Sequence, residues 1–398
     1  MMKHLLLSVL LLSLAATAAA PSGPAPVRYR GFTVLNLDKA TLTGAINQWH
    51  ANQVRLMMVP NWRAKNVVGQ YQAAWREILA ELPTGLDNAK ALGLAVVLDL
   101  HMIPNDHPAK YDANAEKASH EYWSDPGNLQ VLIDCWREVA AICKDRDQVI
   151  WFDLLNEPLD WTRVHQTPSY PPTWPEWAQK TIDAIRKIDR RHPIAIEPGP
   201  GMLCWGFKGF PLLKDPSQPL IYSVHLYQPV DYTHQGINAN RILSWPGKTA
   251  DNGGGQWDAK RLEVELAPAI EFQKKHGVRI WVGEFSVARW APNGAGYLRD
   301  SLAIFEKYGW DWSYHALDDA YVWRLEYPDA VDLYDAQGKY LRTGVAVAEP
   351  GLFYPPNGTY GTPEVVKPAP LPKGLTDRGK VMKEYLDRNL AKPVPGRR

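Results

Sequence analysis

Two glutamate residues close separate apolar segments of this chain, and together they could carry acid–base chemistry. Glu157 stands near the end of VIWFDLLNEP, and Glu284 stands near the end of IWVGEF. Cleavage of an acetal such as a glycosidic bond requires a proton on the leaving oxygen and stabilisation of a developing oxocarbenium ion. A carboxylic acid and a carboxylate can divide that work, so the pair could carry such a reaction if the fold brings the two side chains together.

Further polar residues close apolar segments in the same way. They are Arg55 in QVRLMMVP, His101 in VVLDLH, Asn156 beside Glu157, and His225 and Tyr227 in IYSVHLY. Each of them alone is as well explained by a salt bridge, a helix cap or a loop. The repeated pattern of a polar residue after an apolar segment indicates one shared site instead.

The elements that must position these residues alternate between strands and helices. Short β-branched or aliphatic segments predict strands at 31–37, 53–59, 95–100, 149–155, 193–197, 220–225, 279–282 and 311–315. Apolar residues at three- and four-residue spacing predict helices at 71–92, 128–144, 175–189, 259–276 and 296–308. This alternation favours an α/β fold, a closed (β/α)8 TIM barrel, in which the active site forms at the carboxyl ends of the strands.

The chain beyond the eighth predicted strand departs from this alternation. The segment DLYDAQGKYLR predicts a hairpin with its turn near Gln337 and Gly338. Residues 350–373 are rich in Pro and Gly and are expected to cover the surface in extended form, before a final helix within 374–391 that Thr376 caps. We therefore expect one catalytic domain over 21–398, with an insertion between the last strand and the last helix.

The amino terminus predicts a secretory signal peptide over residues 1–20, because Lys3 precedes an apolar run and small residues of the A-x-A type. No later segment approaches the roughly 18 apolar residues of a membrane span. We therefore expect a secreted protein, extracellular or periplasmic, that has no membrane contact once the signal is cleaved, and we expect a monomer.

The chain has few cysteines for an exported protein. Cys135 and Cys143 lie too far apart along one predicted helix to form a bridge with each other. Either could pair only with Cys204, and three free buried thiols are an equal alternative.

Charge and aromatic content narrow the class of partner. The formal net charge is +1, from 44 basic and 43 acidic residues. This balance provides no footprint for nucleic acid or for an anionic membrane, so we expect neither as a partner. The chain holds 17 Trp and 18 Tyr, whose flat amphipathic rings can cover the apolar faces of sugars as well as fill a core. An oligo- or polysaccharide is therefore the expected partner.

In order and strand placement, the segments VRLMMVP, VLDLHMIP, WFDLLNEPLDW, SVHLYQP and WVGEFS resemble glycoside hydrolase family 5 of clan A, the cellulase family. The resemblance spans residues 31–315. It implies a retaining β-glycosidase with Glu157 as general acid/base and Glu284 as nucleophile, separated by about 5 to 5.5 Å. The pKa of Glu157 is expected to be raised by the charge of Glu284 and by partial burial.

The same resemblance implies supporting roles for the other motif residues. Asn156 is expected to bind the 2-OH of the sugar. Arg55 and Tyr227 are expected to keep the nucleophile ionised and oriented, Arg55 by its charge and Tyr227 by its hydroxyl. His101 and His225 are expected to line the sugar subsite, with buried histidines bonded to the backbone as the alternative.

Strand eight departs from the family pattern, which usually places there a Trp that floors the subsite next to the cleaved bond. In WDWSYHALDDAYVW the expected position holds His315, with Trp312 before it and Trp323 beyond. We assign His315 and Trp312 to substrate binding. Other aromatic rings in predicted loops on the catalytic side could stack on flanking sugars or pack in the core, and of these we assign Trp161 and Trp290, rather than Trp62 and Trp123, to substrate binding.

A metal site is a competing interpretation of Asp99, His101, Asp106 and His107. We expect Asp99 to point away from the His101 side of its strand, and neither HxH nor HExxH spacing occurs. No metal and no cofactor is therefore expected. Glu197, at the end of the fifth predicted strand, is a third carboxylate that could touch substrate.

The substrate stays open among glucan, mannan, xylan, short aryl or alkyl glycosides and glycolipids, all of which occur in the family. A β-glucan or a β-mannan is the leading expectation. The segments 159–175 and 237–256 are expected to shape the cleft. The alternative function is a barrel that binds glycans without turnover, and a metal-dependent hydrolase on the same barrel would be recognised by its loss of activity in a chelator.

Overall fold

Eight parallel strands close into a barrel in the computed structural model, which describes residues 27–105, 115–237, 241–319, 322–335, 337, 339–345, 351 and 374–390. In chain order the strands are β1 (Arg30–Val34), β2 (Gln53–Met58), β3 (Ala95–Leu100), β4 (Val149–Asp153), β5 (Ile194–Ile196), β6 (Ile221–Leu226), β7 (Gly247–Thr249), β8 (Gly255–Trp257), β9 (Arg279–Phe285), β10 (Asp311–Tyr314), β11 (Ala330–Tyr334) and β12 (Tyr340–Val345). The barrel runs β1, β2, β3, β4, β5, β6, β9, β10 and closes where β10 pairs with β1. This confirms the predicted (β/α)8 barrel.

Helices connect and cover the barrel strands. They are α1 (Lys39–Asn47), α2 (Pro60–Arg63), α3 (Tyr71–Ala91), α4 (Ala115–Ser124), α5 (Pro126–Cys143), α6 (Trp174–Arg186), α7 (Val230–Thr233), α8 (Ala259–Glu265), α9 (Ala267–His276), α10 (Gly294–Tyr308) and α11 (Asp377–Leu386). Among the described residues, no helix has both the length and the hydropathy that a membrane span requires.

The main core lies between the barrel and its helices. Strand β3 is buried at every position, as expected for a parallel strand that is covered on both faces. On α3 the buried residues recur at three- and four-residue spacing, which gives the helix one apolar face; they are Trp75, Ile78, Leu82 and Leu86.

A second apolar cluster lies on the inner face of the barrel and includes Trp151 and Trp281. Their rings are 5.6 Å apart and inclined at 66°. The guanidinium of Arg55 lies 5.6 Å from the centre of the Trp281 ring. The cluster therefore forms an apolar floor under the polar residues at the carboxyl ends of the strands.

The elements beyond the barrel agree with the sequence predictions where the structure describes them. Strands β11 and β12 form the predicted antiparallel hairpin, and Lys339 closes it by donating its backbone N–H to the Asp335 side chain at 2.8 Å. The hydroxyl of Thr376 caps α11 by accepting the N–H of Gly379 at 2.9 Å. The predicted signal peptide and, apart from position 351, the Pro-rich segment lie outside the described residues.

Two predictions about helices and cysteines are resolved by the structure. The helix predicted over 259–276 is two helices, α8 and α9, which meet at Leu266. Pro268 at the start of α9 cannot donate a backbone hydrogen bond, and its ring would clash with the preceding turn of a continuous helix. The three cysteines are free, buried thiols.

Candidate active site

The carboxyl ends of the barrel strands bring most of the predicted residues to one place. Glu284 lies within β9, and Glu157 follows β4 by a short segment. An oxygen of Glu157, a nitrogen of His225 and an oxygen of Glu284 all lie within 4.8 Å of one another. The two glutamates that the sequence singled out therefore share one site.

Glu284 is surrounded by donors. One of its oxygens accepts a hydrogen bond from the guanidinium of Arg55 at 2.5 Å, and the other accepts one from the hydroxyl of Tyr227 at 2.9 Å. Burial alone would raise the pKa of Glu284, but the positive charges of His225, His315 and Arg55 hold it well below its ordinary value. Glu284 is consequently ionised at neutral pH.

Glu157 occupies a different environment. Its Oε1 is 3.0 Å from Nδ1 of His225, and its backbone has a φ of 47°, in the left-handed region that non-glycine residues rarely adopt. The backbone N–H of Glu157 donates to Oε2 of Glu197 at 2.8 Å. Glu197 thereby stabilises the unusual backbone conformation that directs the Glu157 side chain towards the site.

His225 connects three carboxyl groups. Its Nε2 lies 3.5 Å from Oε2 of Glu197, and its Nδ1 lies 3.9 Å from Oε2 of Glu284. Burial alone would lower the pKa of His225, but Glu197, Glu284 and Glu157 together raise it to about 9. Burial raises the pKa of Glu197 to about 8. At neutral pH His225 is therefore a cation, and Glu197, 2 % exposed, carries a proton.

Arg55 is buried among acidic groups below Glu284. It donates to Oδ2 of Asp153 at 2.9 Å and to Oδ1 of Asn156 at 3.0 Å, and it lies 3.1 Å from Asp99. The pKa of Arg55 is raised because these carboxylates and Glu284 outweigh the cost of its burial. Asp153 was not predicted as a site residue, although an acidic residue within the apolar segment VIWFDLL was a usable signal.

The expected orientation of Asp99 is wrong. His101 Nδ1 lies 2.8 Å from Oδ2 of Asp99, so both side chains face the same side. The physical reason is that residues two apart in a strand share a face. Asp99 instead joins His101 to Arg55, and His101 Nδ1 is 4.0 Å from Glu284. Asp106 and His107 lie outside the described residues.

His315 lies beside Glu284, directly after β10. Its Nδ1 is 4.0 Å from Oε2 of Glu284, and its Nε2 is 3.1 Å from Oδ2 of Asp319. The His315 ring centre lies 6.1 Å from that of Trp323. Burial alone would lower the pKa of His315, but Glu284 and Asp319 raise it. The position thus holds a histidine paired with an aspartate, backed by the tryptophan from the following loop.

The predicted aromatic contacts divide into two groups. Trp62 and Trp161 are 41 % and 39 % exposed, and the Trp62 ring centre is 5.6 Å from that of His101. Trp312 and Trp290 are core residues and are not available to a sugar. The Trp312 ring packs on Phe285 and its N–H donates to Glu306, whereas the Trp290 N–H donates to the carbonyl of Gln235. Both assignments to substrate binding are therefore corrected.

Glu157, His225 and Glu284 also have the donor types and the proximity for a metal ion. Each of these groups already has a partner, because Arg55 and Tyr227 bind Glu284, and His225 binds Glu157. A cation would have to compete with Arg55 and with the charge of His225. The described residues at the mouth therefore fit a set of internal ion pairs better than a metal cage.

The barrel and its paired glutamates define the class of protein. Two carboxyl groups flanking one cleft, of which one is held ionised, form the arrangement that cleaves glycosidic bonds. The protein is a glycoside hydrolase.

Comparison with known proteins narrows the class to a family. The family model described as Cellulase (glycosyl hydrolase family 5) matches residues 25–320. The chain belongs to glycosyl hydrolase family 5, as the sequence motifs indicated.

This chain is also similar, at low sequence identity, to individual proteins and solved structures. Endoglucanase C of Acetivibrio thermocellus is 25% identical over 281 residues, which cover 63% of this chain and 76% of that protein. A hyperthermophilic endo-β-1,4-glucanase in complex with substrate has a TM-score of 0.58 at 20% identity, covering 79% of this chain and 94% of the other. Endo-glycoceramidase II from Rhodococcus sp. has a TM-score of 0.56 at 18% identity, covering 79% and 76%. Because both solved structures are less than 25% identical to this chain, their likeness shows a shared fold alone.

Proposed function

We propose that this chain is a retaining β-glycosidase that hydrolyses O-glycosidic bonds of a β-linked glycan by double displacement. Glu157 is the general acid/base and Glu284 is the nucleophile. The observation that carries the proposal is the contrast between two neighbouring carboxyl groups, of which Glu284 is bound by Arg55 and Tyr227 whereas Glu157 pairs with His225. The two catalytic carboxyl groups are about 5 to 5.5 Å apart in retaining enzymes and about 6.5 to 9.5 Å apart in inverting enzymes. An oxygen of Glu157 lies within 4.8 Å of an oxygen of Glu284, which supports the retaining mechanism.

In the first step the ionised oxygen of Glu284 attacks the anomeric carbon. Glu157 donates its proton to the glycosidic oxygen as the carbon–oxygen bond breaks, so that the leaving group departs as a neutral alcohol. A covalent ester then joins Glu284 to the sugar. Arg55 and Tyr227 keep Glu284 ionised and oriented before the attack.

In the second step water enters on the side that the leaving group has vacated. Glu157, now a carboxylate, takes a proton from the water while the oxygen attacks the anomeric carbon and Glu284 is released. The cation of His225, 3.0 Å from Oε1 of Glu157, stabilises this carboxylate. Two inversions at the same carbon give net retention.

The polar residues around the pair support binding of the sugar. The oxygen of the Asn156 amide accepts from Arg55, so its NH2 group is the part that donates to the 2-OH. His101 and His315 flank Glu284 at 4.0 Å each and supply further donors for the same sugar. Trp62 and Trp161, both with exposed rings, are suited to stacking on flanking sugars.

A β-glucan is the favoured substrate, with a β-mannan as the second candidate. The support comes from relatives named endoglucanases and from a solved structure named an endo-β-1,4-glucanase. The test is a panel of aryl β-glycosides and β-linked polysaccharides, with the anomer of the first product followed by NMR. Retention of the β-anomer is expected, and an α-anomer would contradict double displacement.

The same panel distinguishes the two alternative functions. Binding of glycans without release of any product would mean a barrel that binds without turnover. Activity that is lost in a chelator and restored by a divalent cation would mean a metal-dependent hydrolase. We expect turnover that a chelator leaves unchanged.

We also infer that the protein is exported, because residues 1–20 have the charge, apolar run and small residues of a signal peptide. Expression of the full chain with sequencing of the mature amino terminus tests this. A new terminus near residue 20 is expected, and retention of Met1 would contradict export by this route.

A further inference from the structure

A histidine that the sequence did not single out, His234, lies between Tyr227 and Trp323. It directly follows α7, the short helix after β6. The ring centre of His234 is 5.1 Å from that of Tyr227 and 5.0 Å from that of Trp323, and it meets both rings at steep angles of 70° and 65°. The rings of Tyr227 and Trp323 are themselves 6.2 Å apart. We call these three residues the His234 brace.

Both ends of the His234 brace reach the same oxygen of Glu284. The hydroxyl of Tyr227 donates to Oε2 of Glu284 at 2.9 Å. The ring of Trp323 lies 6.1 Å from that of His315, whose Nδ1 is 4.0 Å from the same Oε2. His234 is thus one ring removed from Glu284 on the Tyr227 side, and two rings removed on the other.

Thr233 fixes the orientation of the His234 ring. The hydroxyl of Thr233 donates to the carbonyl of Tyr227 at 2.5 Å. A threonine hydroxyl has one proton to donate, so at 3.0 Å from Nδ1 of His234 it can only accept. The proton of a neutral His234 therefore lies on Nδ1, and the ring cannot turn without losing this hydrogen bond.

The residues around His234 are held from three sides of the barrel mouth. The carbonyl of Thr233 accepts the backbone N–H of Ala288 at 2.9 Å, from the segment after β9. The carbonyl of Trp323 accepts the hydroxyl of Tyr314 in β10 at 2.6 Å. Tyr227 and Trp323 are 4 % and 1 % exposed. Loss of the ring between them would leave a cavity that such neighbours fill only in part.

His234 carries no charge at neutral pH. Burial lowers the pKa of His234 to about 4, and the positive charge of His315 acts in the same direction, against the charge of Glu157. His225 and His315, by contrast, help to hold the pKa of Glu284 low by their charge. An effect of His234 on Glu284 must therefore pass through the rings that it contacts.

We propose that His234 is a positioning residue for the reaction, whose neutral ring holds the hydroxyl of Tyr227 against Oε2 of Glu284. The proposal rests on the proposed function, because it concerns the orientation of the proposed nucleophile. The Tyr227 hydrogen bond favours the ionised, oriented state of Glu284. Removal of the His234 ring gives Tyr227 room to turn out of that bond, and a misplacement of about 1 Å can cost a reaction up to two orders of magnitude.

The test is a double-mutant cycle of His234→Ala and Tyr227→Phe, with kcat/KM measured on an aryl β-glycoside. Tyr227→Phe keeps the ring that His234 contacts and removes only the hydroxyl. His234→Ala is expected to lower kcat/KM about tenfold in the wild type, and less than about twofold when the Tyr227 hydroxyl is already absent. The same factor in both backgrounds would mean that His234 is merely structural and would overturn the proposal.

A second measurement does not depend on turnover. The pKa of Glu284 is followed by NMR with carboxyl-labelled glutamate, and the signal is assigned from its loss in Glu284→Gln. Both Tyr227→Phe and His234→Ala are expected to raise this pKa, because each removes the same hydrogen bond. An unchanged pKa in His234→Ala would overturn the proposal. Absence of turnover in the wild type would contradict the proposed function instead, and the titration would still decide the role of His234.

His276→Ala is the matched control. The ring of His276 also packs on an aromatic ring, with its centre 4.5 Å from that of Phe272, but it lies on α9, outside the site. This variant is expected to leave kcat/KM and the pKa of Glu284 unchanged, and a fall in kcat/KM as large as that of His234→Ala would overturn the proposal. If His234→Ala does not fold, His234→Asn replaces it in both measurements, since Asn keeps a donor for Thr233 but lacks the ring.

Discussion

At the scale of single residues, the site works by giving two similar side chains opposite environments. Glu284 faces Arg55, Tyr227 and three histidines. The Glu157 side chain pairs with His225, and its backbone N–H donates to Glu197. Charge complementarity, rather than the identity of the carboxyl group, therefore separates the proposed nucleophile from the proposed acid.

His315 is predicted to set the acid limb of the pH profile. Its positive charge helps to hold the pKa of Glu284 low, so His315→Gln should raise that pKa and move the acid limb of kcat/KM to higher pH by about one unit. The measurement is a pH–rate profile on an aryl β-glycoside. His276→Gln, on α9, is the control and should leave the limb in place. An unchanged limb in His315→Gln would argue that His315 acts only as a structural residue.

Glu197 is predicted to make stability fall as pH rises. Its folded-state pKa of about 8 exceeds its ordinary value of 4.5, so the folded state retains a proton that the unfolded chain loses. The pKa of His225 is raised from 6.5 to about 9, so His225 loses its stabilising charge as pH rises through that value. Stability falls with rising pH between about 4.5 and 8 on account of Glu197 and between about 6.5 and 9 on account of His225. Both therefore contribute between about pH 6.5 and 8, and Glu197→Gln should remove the Glu197 contribution.

The measurement for Glu197 is the melting temperature as a function of pH. The wild type is expected to lose roughly 2 °C per pH unit more than the variant over this window. Glu121→Gln, which removes an exposed carboxylate, should follow the wild type. Parallel curves for wild type and Glu197→Gln would contradict the assignment of the proton to Glu197.

At the same scale, sequence reasoning identified the residues that end strands but not those beneath them. Glu157, Glu284, Arg55 and Tyr227 stand out because each follows an apolar segment. Asp153 belongs to the site through its pairing with Arg55 across the barrel, for which an acidic residue within an apolar segment was the local signal, and Asp319 belongs to it through its contact with His315. Trp312 was misassigned because it lies at the start of β10, where its ring packs on Phe285 and its N–H donates to Glu306 instead of reaching the mouth.

At the scale of elements, helix α11 fastens the segment that follows β10. The Thr376 hydroxyl donates to the carbonyl of Leu325 at 2.6 Å and accepts the N–H of Gly379. The guanidinium of Arg378, fully buried, bonds Asp329 and the carbonyl of Arg324. This helix thus supports the segment that also carries the tryptophan behind His315.

Thr376→Val is predicted to lower the free energy of unfolding by about 1–2 kcal/mol, because it keeps the shape of the side chain but removes both hydrogen bonds. Chemical denaturation measures the change. Thr376→Ser retains the hydroxyl and should lose less than half as much. A loss in Thr376→Ser as large as that in Thr376→Val would contradict the capping role, because Thr376→Ser keeps the hydroxyl.

The boundaries of the strands and helices show where the local sequence pattern is sufficient to predict secondary structure. The predicted strands and long helices lie within a few residues of those observed, because apolar periodicity and burial follow the same rule. The pattern continues unbroken across Leu266, whereas backbone chemistry at Pro268 ends one helix and begins another. The short helices α2, α4 and α7 carry too few residues or too weak a pattern to be predicted.

At the scale of the whole molecule, the closed barrel converts distant sequence positions into one site. Glu157 follows β4 and Glu284 lies in β9. Only closure of the sheet places an oxygen of each within 4.8 Å of the other and of a nitrogen of His225. The alternation of strands and helices was sufficient to predict that closure.

The most direct test of the central claim is azide rescue of two matched variants, Glu157→Ala and Glu284→Ala, on a dinitrophenyl β-glycoside. Azide should restore turnover of Glu157→Ala through the glycosyl-enzyme and give a β-glycosyl azide. It should restore turnover of Glu284→Ala by direct attack from the opposite face and give an α-glycosyl azide. The same anomer from both variants, or rescue with the two anomers exchanged, would contradict the assignment of acid/base and nucleophile.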